Sequence, residues 1–247
     1  MSDSIPHSPA NKTVLLPDID PGSGGHRKVL SICQYITKRG GSVEIAFISN
    51  KSDSEDNTTD VDNNLSVSNN EDALAAALPV HRLDASTSGL LIIAKTRTAH
   101  MSVAKQFENR EIKKTYMALV KGSLEDYGTI NLPINGLSAC TAYKIIRVEN
   151  SLSNGRLSLV ELEPQTGRTH QLRIHMSELG HPIIGDALYD KKNVLRGKGL
   201  FLSATKLKFK HPIDHDLLSI ELPTPNKFDT YIHREMIRWN KFTSSLN

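Results

Sequence analysis

The segment His81-Arg82-Leu83-Asp84-Ala85-Ser86-Thr87-Ser88-Gly89-Leu90-Leu91 constrains this chain more than any other. It sets one carboxylate in a polar turn that opens directly onto an apolar strand, with Arg82 two residues upstream. Packing alone would place apolar residues at such a strand end. Arg, Asp, Ser and Thr together depart from that expectation, and departures of this kind concentrate at functional sites. The competing explanation is that Asp84 caps its own turn by bonding the amide of Ser86 or Thr87, the commoner role of aspartate in turns. Taken alone, the segment favours the turn cap; a second motif shifts the balance.

Residues Gln165-Thr166-Gly167-Arg168-Thr169-His170-Gln171-Leu172-Arg173-Ile174-His175-Met176 read as the start of a helix. Thr166 is the expected N-cap, with Gly167 at the entry. Leu172, Met176, Leu179 and Ile183 recur at intervals of four, three and four, which predicts a buried stripe. Arg168 then falls in the first turn, where a cation opposes the helix dipole by about 0.3–1 kcal/mol, so an anionic partner is expected. Asp84 is the natural candidate. His170, Arg173 and Ser177 lie on another face, where they are placed either to meet phosphates or simply to be solvated.

The two motifs, His-Arg-Leu-Asp-x-x-Thr-Ser-Gly-Leu-Leu at 81–91 and Thr-Gly-Arg-Thr-His-Gln-Leu-Arg-x-His at 166–175 running on into Gly180-His181-Pro182-Ile183-Ile184-Gly185-Asp186, together resemble the RluA-type RNA pseudouridine synthases. Lys114-Thr115-Tyr116-Met117-Ala118-Leu119-Val120-Lys121-Gly122 resembles the strand that carries that family's active-site tyrosine. Leu200–Ser203 through Phe209–Pro212 resembles its closing strand. The resemblance extends from about Glu71 to Pro225, in the family's order.

What this resemblance implies is isomerisation of uridine within an RNA chain: the C1′–N1 bond breaks, the uracil turns, and C5 joins C1′. The aspartate matching Asp84 is the family's essential group, as nucleophile at C1′ or as base at C2′, and the sequence leaves both open. The arginine matching Arg168 pairs with it; a cation there keeps a carboxylate ionised where burial would neutralise it. Tyr116 is expected to stack on the base and to serve as acid or base when C5 loses its proton. A base in folded RNA must be extruded to be reached, and Arg82, whose guanidinium is planar, is expected to fill the vacated stack. Thr87 and Ser88 are expected to order the loop through their hydroxyls. Thr87, His170, Leu172 and Arg173 join Arg82 as expected substrate-binding positions. No cofactor and no metal is implied.

Composition is consistent with an RNA partner and does not require one. Of 247 residues, 30 are basic and 27 acidic, for a net +3. Residues 51–70 set Lys51 against Asp53, Glu55, Asp56, Asp60 and Asp62, net −4, so the rest of the chain carries +7. That charge permits phosphate binding. Cys33 and Cys140 are isolated, which argues against a disulfide framework or structural zinc. No apolar run approaches the roughly 18 residues a membrane span needs. The N-terminus does not read as a signal or transit peptide, and the expected setting is intracellular, cytoplasmic or nuclear, with an organelle still open. The expected partner is structured RNA, ribosomal or transfer, bound by a monomer.

Along the chain, residues 1–25 read as a loose arm, His26–Arg39 as a short amphipathic helix, Val43–Ile48 as a strand and 49–70 as a polar linker. Glu71–Leu78 reads as helix, Gly89–Lys95 as a buried strand, Ala99–Glu108 as helix, and Lys114–Val120, Thr129–Leu132, Ala142–Val148 and Leu157–Leu162 as strands, with the helix Gly167–Leu179 following. Strands outnumber helices in mixed order, so the expected class is α+β, a mixed and largely antiparallel sheet with flanking helices. The expected organisation is an arm and linker over 1–70, a catalytic domain over 71–225, and a docking helix in the tail 226–247. One departure from the family pattern stands out: the chain lacks the usual Lys-Pro-x-Gly strand, and either Val43–Ile48 replaces it in diverged form, or the polar tract interrupts the region, or the chain is an incomplete gene product. That departure keeps a second reading alive, a catalytically impaired RNA-binding or RNA-chaperone protein on the same scaffold. A third takes His170, His175, His181 and Asp186 as a hydrolytic metal site. It is weak, because histidines five apart on a helix point about 140° apart.

Overall fold

The computed structural model describes residues 12–15, 28–31, 43–49, 72–190 and 198–245. Among them are the strands β1 (Lys12–Leu15), β2 (Lys28–Ser31), β3 (Val43–Ser49), β4 (Ala73–Pro79), β5 (Ser88–Thr96), β6 (Lys113–Lys121), β7 (Tyr127–Ile130), β8 (Thr141–Ser151), β9 (Gly155–Pro164), β10 (Leu202–Lys210) and β11 (Leu217–Glu221). The helices are α1 (Arg97–Glu108), α2 (Gln171–Glu178) and α3 (Asn226–Ser244). The strands form one sheet in the order β2-β3-β5-β10-β6-β9-β8-β7, with β11 and β1 branching from β10 and β4 pairing with β5. Only β10/β5 and β1/β11 run parallel; the remaining pairs are antiparallel. This is the mixed, largely antiparallel α+β architecture the strand count predicts.

Strand β5 is the hinge of this arrangement, and its sequence Ser-Gly-Leu-Leu-Ile-Ile-Ala-Lys-Thr explains why. It is buried along its whole length, as a strand covered on both faces must be, so it reads as a continuous apolar run and not as an alternating one. Leu90, Ile92 and Ala94 pack with Ala99 and Val103 of α1 and with Leu207, Phe209 and Ile220 of β10 and β11. A second, larger cluster joins Leu119 and Val120 of β6, Val160 and Leu162 of β9, Leu172 and Met176 of α2, Phe201, and Phe228 and Ile232 of α3.

Two expected helices are strands. Residues 73–79 pair with β5, Leu78 opposite Ala94 and Pro79 opposite Ile93. The alanine-rich composition there favours helix by propensity, and the strand-pairing partner overrides that weak preference. Lys28–Ser31 pairs with β3 instead of opening an amphipathic helix, and Lys12–Leu15, expected in a loose arm, is a strand paired with β11; the remainder of that expected helix, the rest of the arm and the polar tract beyond Ser49 lie outside the described residues. The strand expected at Val43–Ile48 is present as β3, in register with β5 from Val43–Ala94 to Ile48–Gly89.

Helix α1 starts two residues earlier than expected because Thr96 caps it, its hydroxyl accepting from the Ala99 amide at 3.2 Å. Helix α3 packs on the larger apolar cluster. Its Phe228 and Tyr231 rings close on Phe201 at 5.3 and 5.1 Å. Its Glu235, 2% exposed, accepts from the Ser151 hydroxyl at 2.6 Å and from Arg238 at 2.6 Å, so the buried charge is paired.

Candidate active site

The Asp84 loop is fixed at both ends. At the entrance, the Ile92 amide donates to His81 Nε2 at 3.0 Å while the imidazole lies 4.6 Å from the Phe107 ring. Burial, reinforced by the Lys114 charge, pushes the His81 pKa down to about 4. The ring is therefore neutral near pH 7, and its acceptor role at Nε2 puts the proton on Nδ1. At the exit, Gly89 holds φ +120°, and a Cβ there would overlap the Ala204 backbone, so only glycine lets β5 run this close to β10. The Ser88 hydroxyl donates to the Leu202 carbonyl at 3.4 Å.

The turn itself is closed by backbone. The Thr87 amide donates to the Asp84 carbonyl oxygen at 2.9 Å, so the aspartate side chain is released from the capping role that turns ordinarily give it. Thr87 does order the loop, but through its amide; its hydroxyl, in a residue only 3% exposed, has no hydrogen-bond partner. The Asp84 carboxylate is 19% exposed, and the nearest basic side chain among the described residues is the His170 imidazole, with Nε2 at 4.0 Å from Oδ1.

Helix α2 begins later than Thr166 and Gly167 suggest. Its first residue is Gln171, preceded by His170 at φ +55°. Gln171 organises the approach: its Oε1 accepts from the Thr166 hydroxyl at 2.6 Å and from the Arg168 amide at 3.0 Å, and its Nε2 donates to the Cys140 carbonyl at 2.9 Å. The sequence reading missed this because it assigned the cap to a hydroxyl; here a glutamine reaches back three residues, as in the reciprocal half of a capping box. Arg168 consequently stands in the loop before the helix and not in its first turn, so the helix dipole makes no demand on it.

That displacement corrects the expected ion pair. Arg168 and Asp84 line the same cleft, yet no ion pair joins them; Arg168 Nε donates to the Ser138 carbonyl at 3.0 Å instead. The rest of its guanidinium is unspent among the described residues. Arg173 is also differently placed. It is 5% exposed and locked to Asp186 by two bonds, Nε to Oδ2 at 2.8 Å and Nη2 to Oδ1 at 2.7 Å, so it is not available to phosphates. The Asp186 bond first, and the Asp84 charge more weakly, raise its pKa. Ser177 is spent on the Tyr189 carbonyl at 2.9 Å.

The cleft has a volume of about 770 Å³. Asp84, Thr87 and Arg82 enter it from the β4–β5 loop, Lys114 and Tyr116 from β6, and Arg168, His170 and Leu172 from the second motif. Arg82 is exposed, whereas Leu172 is 7% exposed and belongs equally to the core. Burial and the neighbouring Asp84 charge raise the Tyr116 pKa, so its phenol stays protonated at neutral pH. His170 is steadied by Tyr189, Nδ1 lying 3.0 Å from the phenol oxygen. Of the expected site residues, the structure brings Arg82, Asp84, Thr87, Tyr116, Arg168, His170 and Leu172 to one cavity and turns Arg173 away. Lys114, Gln171 and His81 were missed. The i, i+2 spacing of Lys114 and Tyr116 on one strand was the signal that would have found the first.

The four groups of the metal reading are not brought together. His175 contacts the Thr141 hydroxyl at 2.9 Å and the Leu132 carbonyl at 3.0 Å, His181 faces the Lys121 carbonyl at 2.8 Å, and Asp186 holds Arg173. Among the described residues no cluster of three or more metal-binding side chains occurs. Nor is any described helix long and apolar enough to cross a membrane.

Fold and cleft together define an α+β scaffold whose cleft brings the Asp84 carboxylate together with a protonated tyrosine and several basic side chains. Residues 44–178, more than half of the chain, match the family described as RNA pseudouridylate synthase, and the protein belongs to that family. It is 42% identical over 161 residues to RNA pseudouridine synthase YhcT of Bacillus subtilis, a match that covers 59% of this chain and 52% of that protein. It is 41% identical over 163 residues to the dual-specificity RNA pseudouridine synthase RluA of Pasteurella multocida, covering 59% of this chain and 72% of the relative. The chain thus spans about half the length of the Bacillus relative. Human RNA pseudouridylate synthase domain containing 1 shares the fold, with a TM-score of 0.55 at 22% identity over 83% of this chain and 86% of the human one.

Proposed function

We propose that this protein isomerises uridine to pseudouridine within structured RNA, ribosomal or transfer, and that Asp84 is the group that acts on the sugar. The observation that carries this reading is the state of the Asp84 carboxylate. It opens into a cleft wide enough for a nucleotide, is excused from capping its turn, and has no closed ion pair to satisfy it. The names of the relatives, a dual-specificity RNA pseudouridine synthase and a ribosomal large subunit pseudouridine synthase, support the reaction, and the second of them supports a ribosomal substrate.

The uridine is first extruded from its helix, at a cost of a few kcal/mol, with Arg82 on the exposed lip of the cleft taking its place in the stack. Asp84 then acts as nucleophile at C1′ or as base at C2′, and the C1′–N1 bond breaks. The freed uracil turns against the Tyr116 ring, C5 bonds to C1′, and C5 gives up its proton while N1 takes one, so the product is an isomer with no co-reactant. Arg168 supplies the cation that keeps Asp84 ionised once the base has expelled water. Its tether to Ser138 leaves the rest of the fork for that contact, and catalytic hydrogen bonds commonly tighten only when substrate is bound. We assign the catalytic unit to residues 71–225, with β3 completing its sheet and α3 docked behind it.

The test is to incubate the protein with ribosomal and transfer RNA transcribed in vitro, which contain no pseudouridine, and to map carbodiimide adducts by primer extension. New stops with wild-type protein that vanish with Asp84→Asn are expected. No stop on any such RNA overturns the proposal.

A further inference from the structure

We infer that Lys114 is a phosphate contact, the ammonium that holds the RNA backbone of the bound nucleotide inside the cleft; this rests on the RNA reading above. Lys114 and Tyr116 are two residues apart on β6, so their side chains leave the same face of the sheet, and both line the cavity that holds Asp84. Among the partly buried basic side chains around Asp84, this one alone is left without an acceptor among the described residues, whereas Arg82, Arg110 and Lys113 are exposed to solvent. Arg168 is tethered to Ser138, His170 is hydrogen-bonded to Tyr189, and Arg173 is locked to Asp186. Lys114 has no hydrogen bond or ion pair with any described residue, although it is only partly exposed and burial lowers its pKa.

A shielded ammonium without an acceptor is costly, and a chain gains nothing structural from keeping one. A Cβ built on Gly167 would stand 3.8 Å from Nζ, an ordinary contact distance, so the loop that carries Arg168 passes close beside the ammonium. The nearby His81 is kept neutral and does not compete for an anion. A lysine is a compact point charge, suited to a phosphate more than to the flat edge of a base. Arg110 and Lys113, exposed on the same wall, continue the basic track outward, with Glu108 and Glu163 also present on that wall.

The experiment is a salt titration of binding to a ten-nucleotide oligouridylate, which needs no extrusion, read by fluorescence anisotropy for wild type, Lys114→Met, Lys114→Gln and Lys114→Arg. Losing one phosphate contact should make the slope of log affinity against log salt shallower by about 0.7 and weaken binding about tenfold near 50 mM salt. Lys114→Arg should restore the slope. A slope unchanged in both neutral variants overturns the inference whether or not affinity falls, because it places the lysine on an uncharged group. Failure of wild type to bind the oligomer at all overturns it as well. Pseudouridine formation by wild type with an unchanged slope sinks this inference alone; altered slopes without any pseudouridine sink the enzymatic reading and leave Lys114 standing.

Discussion

Two aspartates flank helix α2, and the protein treats them in opposite ways. Asp186 is 1% exposed and fully answered: both oxygens take Arg173, and Oδ1 also accepts the amides of Leu188 and Tyr189 at 3.0 and 3.1 Å. Asp84 faces a cleft with a histidine 4.0 Å away and no arginine on it. A carboxylate closed on every side fixes geometry and offers nothing to a ligand. One left open has reactivity to spare. The same contrast divides the cations, Arg173 being locked to Asp186 and Lys114 having no acceptor among the described residues.

The strongest way to break this contrast is to exchange the consequences. Asp84→Asn removes a charge that nothing answers, so turnover should fall at least about a thousandfold, the scale of losing an essential acid, base or nucleophile. Its thermal midpoint and its RNA affinity should stay close to wild type, since a carboxylate adds no attraction to a polyanion. A collapse of binding in that variant would move Asp84 from chemistry to structure. Asp186→Ala should do the reverse. It strands a buried guanidinium, at a cost of about 3–5 kcal/mol in urea denaturation. If Asp186→Ala retained wild-type stability, the closed pair would not be the structural anchor that the contrast requires.

Asp186 also predicts acid behaviour. Burial pulls its pKa up, but the Arg173 bond and the Tyr189 and Leu188 amides outweigh it, and the carboxyl sits below its ordinary value. Its folded pKa being depressed, the stabilisation is present above the unfolded pKa and disappears as pH falls through the folded one.

The sequence made the open aspartate legible and hid the closed one. Asp84 announces itself because a polar turn at the mouth of an apolar strand contradicts packing, and Tyr116 and the second motif follow in order. Strands β5, β6, β8 and β9 were readable for the same reason, as long apolar or alternating runs. What stayed hidden depends on contacts between distant residues. Whether Arg168 meets Asp84 or Ser138, and whether Arg173 faces RNA or Asp186, is decided by where α2 starts, and a glutamine reaching back to Thr166 moved that start by several residues. Residues 73–79 went astray because alanine favours helix by a few tenths of a kcal/mol per residue, which pairing with β5 exceeds.

A smaller effect sharpens the contrast at the entrance to the loop. His81 is neutral in the folded chain, with its pKa pushed from 6.5 to about 4, so on acidification the unfolded chain takes up a proton that the folded one refuses. The His81 contribution to stability should therefore fall as pH drops from 6.5 towards 4, by at most about 3 kcal/mol, and the slope should be shallower in that window for His81→Gln, which keeps an acceptor for the Ile92 amide. Equal slopes for the two proteins in urea titrations across that range would show that His81 is already protonated in the fold.

The smallest expected effect bears on Arg168, which belongs to neither side of the comparison. It is tethered like a structural residue, by Nε to the Ser138 carbonyl, yet the remainder of its fork faces the cleft. Lysine lacks the Nε donor and the planar fork, so Arg168→Lys must give up either the tether or the reach to Asp84. Loss of one charged hydrogen bond of this kind, roughly 1.5 kcal/mol, corresponds to about a tenfold fall in kcat/KM. If the loss lies in kcat with the thermal midpoint unchanged, Arg168 serves the open aspartate. If the thermal midpoint falls and kcat is retained, the tether is its whole purpose, and some other cation must keep Asp84 ionised when the base fills the cleft.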